Sequence, residues 1–139
     1  MKPPCIIVVN YLLPALRGLI ARELIEKYGL SRVEAAEKMG LTPAAITQYI
    51  KKVRGEAAIE TIESSDDAIR MISEIAKDLA EDKASLYEVL KKICKTCQII
   101  RSKGLLCEIH REMLPALKED EKCEREFRLP LKHYLERTL

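Results

Sequence analysis

The stretch Ser31–Gly55, SRVEAAEKMGLTPAAITQYIKKVRG, limits what this chain can fold into more than any other. Two helix starts are written into it. Ser31 and Glu34 have capping-box spacing, in which hydroxyl and carboxylate each satisfy an unpaired backbone N–H. Thr42 is placed to cap a second helix, and Pro43 falls at its first position, where a missing N–H costs nothing. Gly40 supplies the left-handed residue that stops the first helix. Only Gly40, Leu41 and Thr42 remain to reverse the chain, so the helices over 31–39 and 43–53 must cross closely. Ala36 is small enough for that crossing. Ile46, six residues after Gly40, returns to the core beside Ala36, and Ile50 and Val53 follow on the same face. This is the residue pattern of a helix-turn-helix.

The remaining chain reads as more helix. Leu16, Ile20, Leu24 and Ile25 recur at helical spacing between Leu13 and Tyr28, and Gly29 stops that helix. Pro14 begins or kinks it, and the β-branched run Ile6–Val9 is ambiguous. Residues 55–63 read as a linker or a helical extension. Ser64 or Ser65 caps a helix bearing Ile69, Ile72, Ile75 and Leu79, with Asp66 and Asp67 favourable in its first turn. Ser85 and Glu88 form a second capping-box pair, opening a helix whose seam is Leu86, Leu90, Ile93, Cys97 and Ile100. Arg101–Gly104 breaks it, and Leu106, Ile109, Met113 and Leu117 mark another helix. Residues 118–128 form a charged, solvated connection, and Pro130 precedes a short terminal helix containing His133. The expected fold is all-α: a helix-turn-helix DNA-binding domain over 1–55, then a helical bundle or hairpin domain over 56–139. With 47% hydrophobic residues the chain is too apolar to be disordered. At 139 residues it is too short for a barrel enzyme or a full dinucleotide-binding domain.

Charge divides the chain. Residues 1–54 carry 9 Lys/Arg against 4 Asp/Glu, a net +5, and residues 55–139 carry 15 against 18, a net −3. A basic first third suits a polyanion. In a helix-turn-helix the second helix enters the major groove with its first residues toward the base edges. Those residues here are Thr42, Pro43, Ala44, Ala45, Gln48 and Tyr49. Gln48 can pair bidentately with adenine, and the alanines can meet thymine methyl groups. Lys51, Lys52 and Arg54 then contact phosphates, which adds affinity but no sequence choice. The expected partner is double-stranded DNA, and the apolar seams beyond residue 56 suggest a homodimer reading paired half-sites. The bland alternative is a packing or protein-docking module.

Cysteine spacing supplies the second pattern. Cys94 and Cys97 are three residues apart, as are Cys107 and His110, and the two pairs are symmetric about residue 102. In an antiparallel helical hairpin this brings Cys97 toward Cys107 and Cys94 toward His110. Three thiolates and an imidazole suit structural zinc. An iron–sulfur cluster is the alternative cofactor, with Cys5 as an alternative ligand. A reversible dithiol or ordinary core cysteines are the other readings. Cys123 reads as a free or accessory thiol. A CxxC redox enzyme needs its first thiol near a helix start, where the dipole lowers the thiol pKa. This pair falls well inside a helix, so no enzyme is expected. The apolar run at residues 5–16 is too short to span a bilayer and lacks a cleavage site, so the expected location is cytoplasmic, without a membrane partner.

The opening KPPCIIVVNYLLPALRGLIARELIEKYGLS, the helix-turn-helix and the segment ICKTCQIIRSKGLLCEIH together resemble a family of small archaeal transcriptional regulators of the phage-repressor or Cro-like class. Related DNA-binding segments occur in archaeal regulators that carry a thiamine-phosphate-binding domain after them. The resemblance covers most of residues 1–115. It implies a cytoplasmic transcription factor acting on promoters and no particular signal; any sensing of metal or redox state would have to use the CxxC–CxxH site.

Overall fold

The computed structural model describes residues 6, 8–53 and 57–107. The described elements are all helical, as expected. A π-helical turn, Val8–Leu12, leads directly into α1 (Leu13–Glu26). α2 (Arg32–Met39), α3 (Pro43–Val53), α4 (Ala57–Glu63), α5 (Asp66–Glu81) and α6 (Leu86–Ser102) follow. Val8 and Val9 of the ambiguous β-branched run therefore enter a helix. Pro14 sits in the first turn of α1, where its missing N–H is tolerated.

The turn chemistry is what the residue types dictate. Gly29 and Gly40 have φ of +67° and +66°, the left-handed conformation that costs other L-residues energy. Ser31 Oγ accepts the Glu34 N–H at 3.1 Å. The return contact from the Glu34 carboxylate is not made, so the first box is half-formed and Glu34 stays exposed. The second box is complete. Glu88 N–H donates to Ser85 Oγ at 3.3 Å, and Ser85 N–H donates to the Glu88 carboxylate at 2.7 Å. The Ser85 backbone N–H foremost, and then the Ser85 hydroxyl donating to the same carboxylate at 3.1 Å, hold the Glu88 carboxyl below its ordinary pKa. Ser65, not Ser64, caps α5, its Oγ accepting the Ala68 N–H. Of the stretch 55–63, read as a linker or a helical extension, Ala57–Glu63 is helix α4, which buries Ala58, Ile59 and Ile62.

Helix α1 is the hub. Its buried residues (Ala15, Leu16, Gly18, Leu19, Ile20, Ala21 and Leu24) wrap more than one face. α3 packs on one side and α5 on another. Where α1, α2 and α3 meet, Ala21, Ala36 and Ile46 form a small buried cluster bordered by Ile25, Met39, Leu41 and Ile50. The expected Ala36–Ile46 packing is present, and Ala21 completes it from α1. The larger cluster joins Leu12, Leu16, Leu19 and Leu24 of the first segment to Ile62, Ile72, Ile75 and Ile100 of the later helices. One continuous core thus crosses residue 55.

The expected seam of α6 holds at Ile93, Cys97 and Ile100, which join or pack against the core, and fails at Leu86 and Leu90. Val89, Thr96 and Ile100 are buried, whereas Leu86 and Leu90 are 69% and 51% exposed. Thr96 takes an interior position because its hydroxyl donates to the Lys92 carbonyl at 2.8 Å. The helix is turned so that its first two leucines look outward. After α6, Gly104 adopts φ +73°, and Leu106 and Cys107 are buried in renewed helix. The expected positions Ile109, Met113 and Leu117, the charged run 118–128 and the terminal helix with His133 lie outside the described residues.

Charged side chains pin the assembly at its rim. Arg22 meets Glu63 at 2.9 Å, Lys38 meets Asp82 at 3.0 Å, and Lys103 meets Asp67 at 2.8 Å. Lys92 bridges from α6 to Asp78 and Glu74 of α5. The exposed pairs among them fix orientation and contribute little stability.

Ile46 is fully buried. Ile46→Ala is therefore expected to destabilise the chain by about 2–5 kcal/mol in denaturant unfolding. Gly40→Ala meets no atom within 4 Å, so its expected cost of about 1–2 kcal/mol comes from backbone conformation alone. Two equal and negligible losses would contradict this account of the crossing.

Candidate nucleic-acid interface

Helix α3 presents its outer face because Ile46 anchors its inner one. Thr42 Oγ1 accepts the Ala45 N–H at 3.1 Å, which fixes the helix start. Thr42, Pro43, Ala44, Gln48 and Lys51 are exposed, and Ala45 is half-buried. Ala44, Gln48 and Lys51 are spaced four and three residues apart, so they share one outward stripe. The Gln48 amide, exposed and without a hydrogen-bond partner among the described residues, can present donor and acceptor together. Lys52 and Arg54, the other expected phosphate contacts, lie outside the residues whose side chains are described.

Tyr49 is placed differently from its neighbours. It is half-buried, and its hydroxyl accepts from Arg17 Nη1 at 3.2 Å. The Arg17 guanidinium also lies 5.9 Å from the centre of the Tyr49 ring. Tyr49 thus braces α3 against α1 behind the exposed stripe.

A further residue stands at this surface. Arg32 opens α2 and is exposed, and its Nη1 donates to Thr47 Oγ1 at 3.1 Å. Thr47 in turn donates to the Pro43 carbonyl. The guanidinium is thereby held beside the first turns of α3, with N–H groups left for a phosphate. Sequence reasoning passed over Arg32 because it precedes the second helix by more than ten residues. Its place at the first position of α2, next to a cap that fixes the crossing, is the signal that finds it.

The cysteine window is partly described. Cys94 is exposed, Cys97 half-buried and Cys107 buried. Among the described residues, no three His, Cys, Asp or Glu side chains gather closely enough to hold a metal. His110, Cys5 and Cys123 lie outside the described residues. Burial pushes the Cys97 thiol up to about 11, with the neighbouring Cys94 adding to it and Arg101 opposing. A thiol so raised stays protonated at neutral pH and is a poor nucleophile.

Residues 22–64 match the family described as Helix-turn-helix. The match begins in α1 and runs through α4, and it supports a DNA-binding regulator in general. That family is a DNA-binding one and not an enzymatic one. No curated protein and no solved structure matches the chain. No helix among the described residues is long and apolar enough to cross a membrane.

The thiol environments predict an order of reaction. In metal-free buffer at pH 8, iodoacetamide is expected to alkylate Cys94 well before Cys97, because Cys94 is exposed and Cys97 is held protonated. Peptide mapping by mass spectrometry reads the order. Equal rates would remove the burial argument.

Proposed function

We propose that this chain is a sequence-specific DNA-binding transcriptional regulator that acts as a homodimer on paired half-sites. The observation that carries the reading is the exposed stripe Ala44–Gln48–Lys51 on a helix capped by Thr42 and anchored by buried Ile46, within the segment that matches the helix-turn-helix family. In the mechanism, α3 lies in the major groove. Gln48 pairs with adenine N6 and N7. Thr42 and the small Ala44 and Ala45 let the helix start approach closely and meet thymine methyl groups. Lys51, with Lys52 and Arg54 beyond it, neutralises phosphates, and Arg32 does so from α2. The net +5 of residues 1–54 favours approach to the duplex. Two copies related by a two-fold axis would read half-sites about one helical turn apart.

A docking module for another protein is the rival. It predicts shallow salt dependence and indifference to Gln48. On the DNA-binding reading, Gln48→Ala is expected to lose about 1–3 kcal/mol of discrimination at one base position. Lys51→Ala is expected to weaken all sequences alike and to reduce the salt slope by about 1. Binding selection followed by titration at several salt concentrations measures both, and sedimentation of the complex counts the copies. Salt-independent binding, or a Gln48→Ala variant with unchanged preference, would sink the proposal. A single copy on the selected site would remove the dimer.

The proposal keeps zinc on Cys94, Cys97, Cys107 and His110, with an iron–sulfur cluster and Cys5 as the alternatives. Donor chemistry and spacing are its support. Metal and sulfide analysis of protein purified without oxygen tests it. One equivalent of zinc, or iron with acid-labile sulfide, supports the site, and metal-free protein ends it.

A further inference from the structure

An apolar groove of about 190 Å³ opens between the helix-turn-helix and the later helices. Ile20, Ile75 and Ile93 line it from α1, α5 and α6. Met39 and Leu41 border it on the turn side, and the outward leucines Leu86 and Leu90 on the other. Among the described residues, the charged ones that line it are Arg17 and Lys38, and no carboxylate does. The two cations are not equivalent. Lys38 Nζ is held by both carboxylate oxygens of Asp82 at 3.0 Å. Arg17 is half-buried and has the Tyr49 hydroxyl and ring as its partners, with no carboxylate among the described residues.

A half-buried guanidinium beside an apolar groove, with no acid on it among the described residues, is an unusual arrangement. Its charge is partly desolvated, and a planar fork of N–H donors is left for a planar anion. The volume sets the size of what fits, since a cavity of about 150 Å³ lined by aliphatic side chains accepts a benzene ring. We propose that this groove binds a small amphiphilic carboxylate, an apolar body of about one ring in size with its acid group on Arg17. The apolar body covers Leu86 and Leu90 and rests on Ile20, Ile75 and Ile93. The carboxylate takes Arg17 by charge-assisted hydrogen bonds stronger than the one to the Tyr49 phenol. Because Tyr49 belongs to α3, occupancy withdraws a brace from the DNA-facing helix. This regulatory consequence rests on the DNA-binding reading; the binding site itself does not.

The test uses the full chain and three probes of one shape: phenylacetate, benzyl alcohol and benzylamine. Calorimetric titration is expected to give saturable phenylacetate binding, with the alcohol roughly tenfold weaker and the amine weaker still, since only the acid pairs with the guanidinium. Arg17→Gln is expected to erase the preference for the acid while leaving weak binding of the alcohol. The wild-type probe series stands without any variant, so it decides the question even if Arg17→Gln fails to fold. Absence of saturable binding, equal binding of acid and amine, or an acid preference that survives in folded Arg17→Gln would overturn the site. So would a ligand-free dimer that Leu90→Asp converts to monomer, because a second copy would then fill the groove. Operator affinity is measured separately. Intact DNA binding without probe binding removes the site alone, and probe binding without DNA affinity removes the function reading alone.

Discussion

The fold depends on one helix being buried from two directions at once. α1 gives Ala21 to the crossing of α2 and α3, and Leu12, Leu16, Leu19 and Leu24 belong to the cluster shared with α4, α5 and α6. An apolar stripe of ordinary width cannot do both, so α1 carries apolar residues around much of its circumference. A consequence is that α3 and the later helices share a support. Ile46 fixes α3 from beneath, Tyr49 leans on Arg17 of α1, and Arg22 of α1 reaches Glu63 of α4. Anything that moves α1 is felt on both sides.

The parts of this arrangement written in local chemistry were legible in the sequence. Ser31, Gly40, Thr42, Pro43 and Ser85 each act on atoms within a few residues, so their roles follow without knowledge of the fold. What was misread depended on tertiary choices. The seam read along α6 holds at Ile93, Cys97 and Ile100 but not at Leu86 and Leu90, which sequence favours because leucine outranks threonine as a core residue. The structure buries Thr96 instead, since its hydroxyl bonds the Lys92 carbonyl one turn back and then behaves as a methyl-bearing core side chain. Both faces of α6 carry apolar residues at helical spacing, and periodicity alone cannot choose between them. The half-formed box at Ser31 is a similar case. Spacing allows the Glu34 return contact but does not compel it.

The cysteine pattern shows the same division. The i, i+3 spacing of Cys94 and Cys97 sets their position along α6, yet it does not set their environment. Cys97 faces the core closely enough to be held protonated, while Cys94 looks into solvent. Two thiols three residues apart on a helix lie on adjoining parts of its surface, and the small rotation of α6 that turned its leucines outward also separated their exposure.

The character of α3 follows from which of its side chains are committed inward. Ile46 is in the core, Tyr49 is engaged by Arg17, and Thr47 is held by Arg32 and its own helix. The outward positions left at its start are Thr42, Pro43, Ala44 and Gln48, and among these Gln48 is the long side chain able to make two hydrogen bonds to one base. On the proposed DNA-binding reading, a helix so sparsely furnished with polar readers sits deep in the groove, because alanines keep the backbone close to the base edges. One copy then distinguishes few base pairs by direct contact. On that reading, sequence choice of a useful size would come from doubling the site and from the local shape of the duplex that the close approach requires.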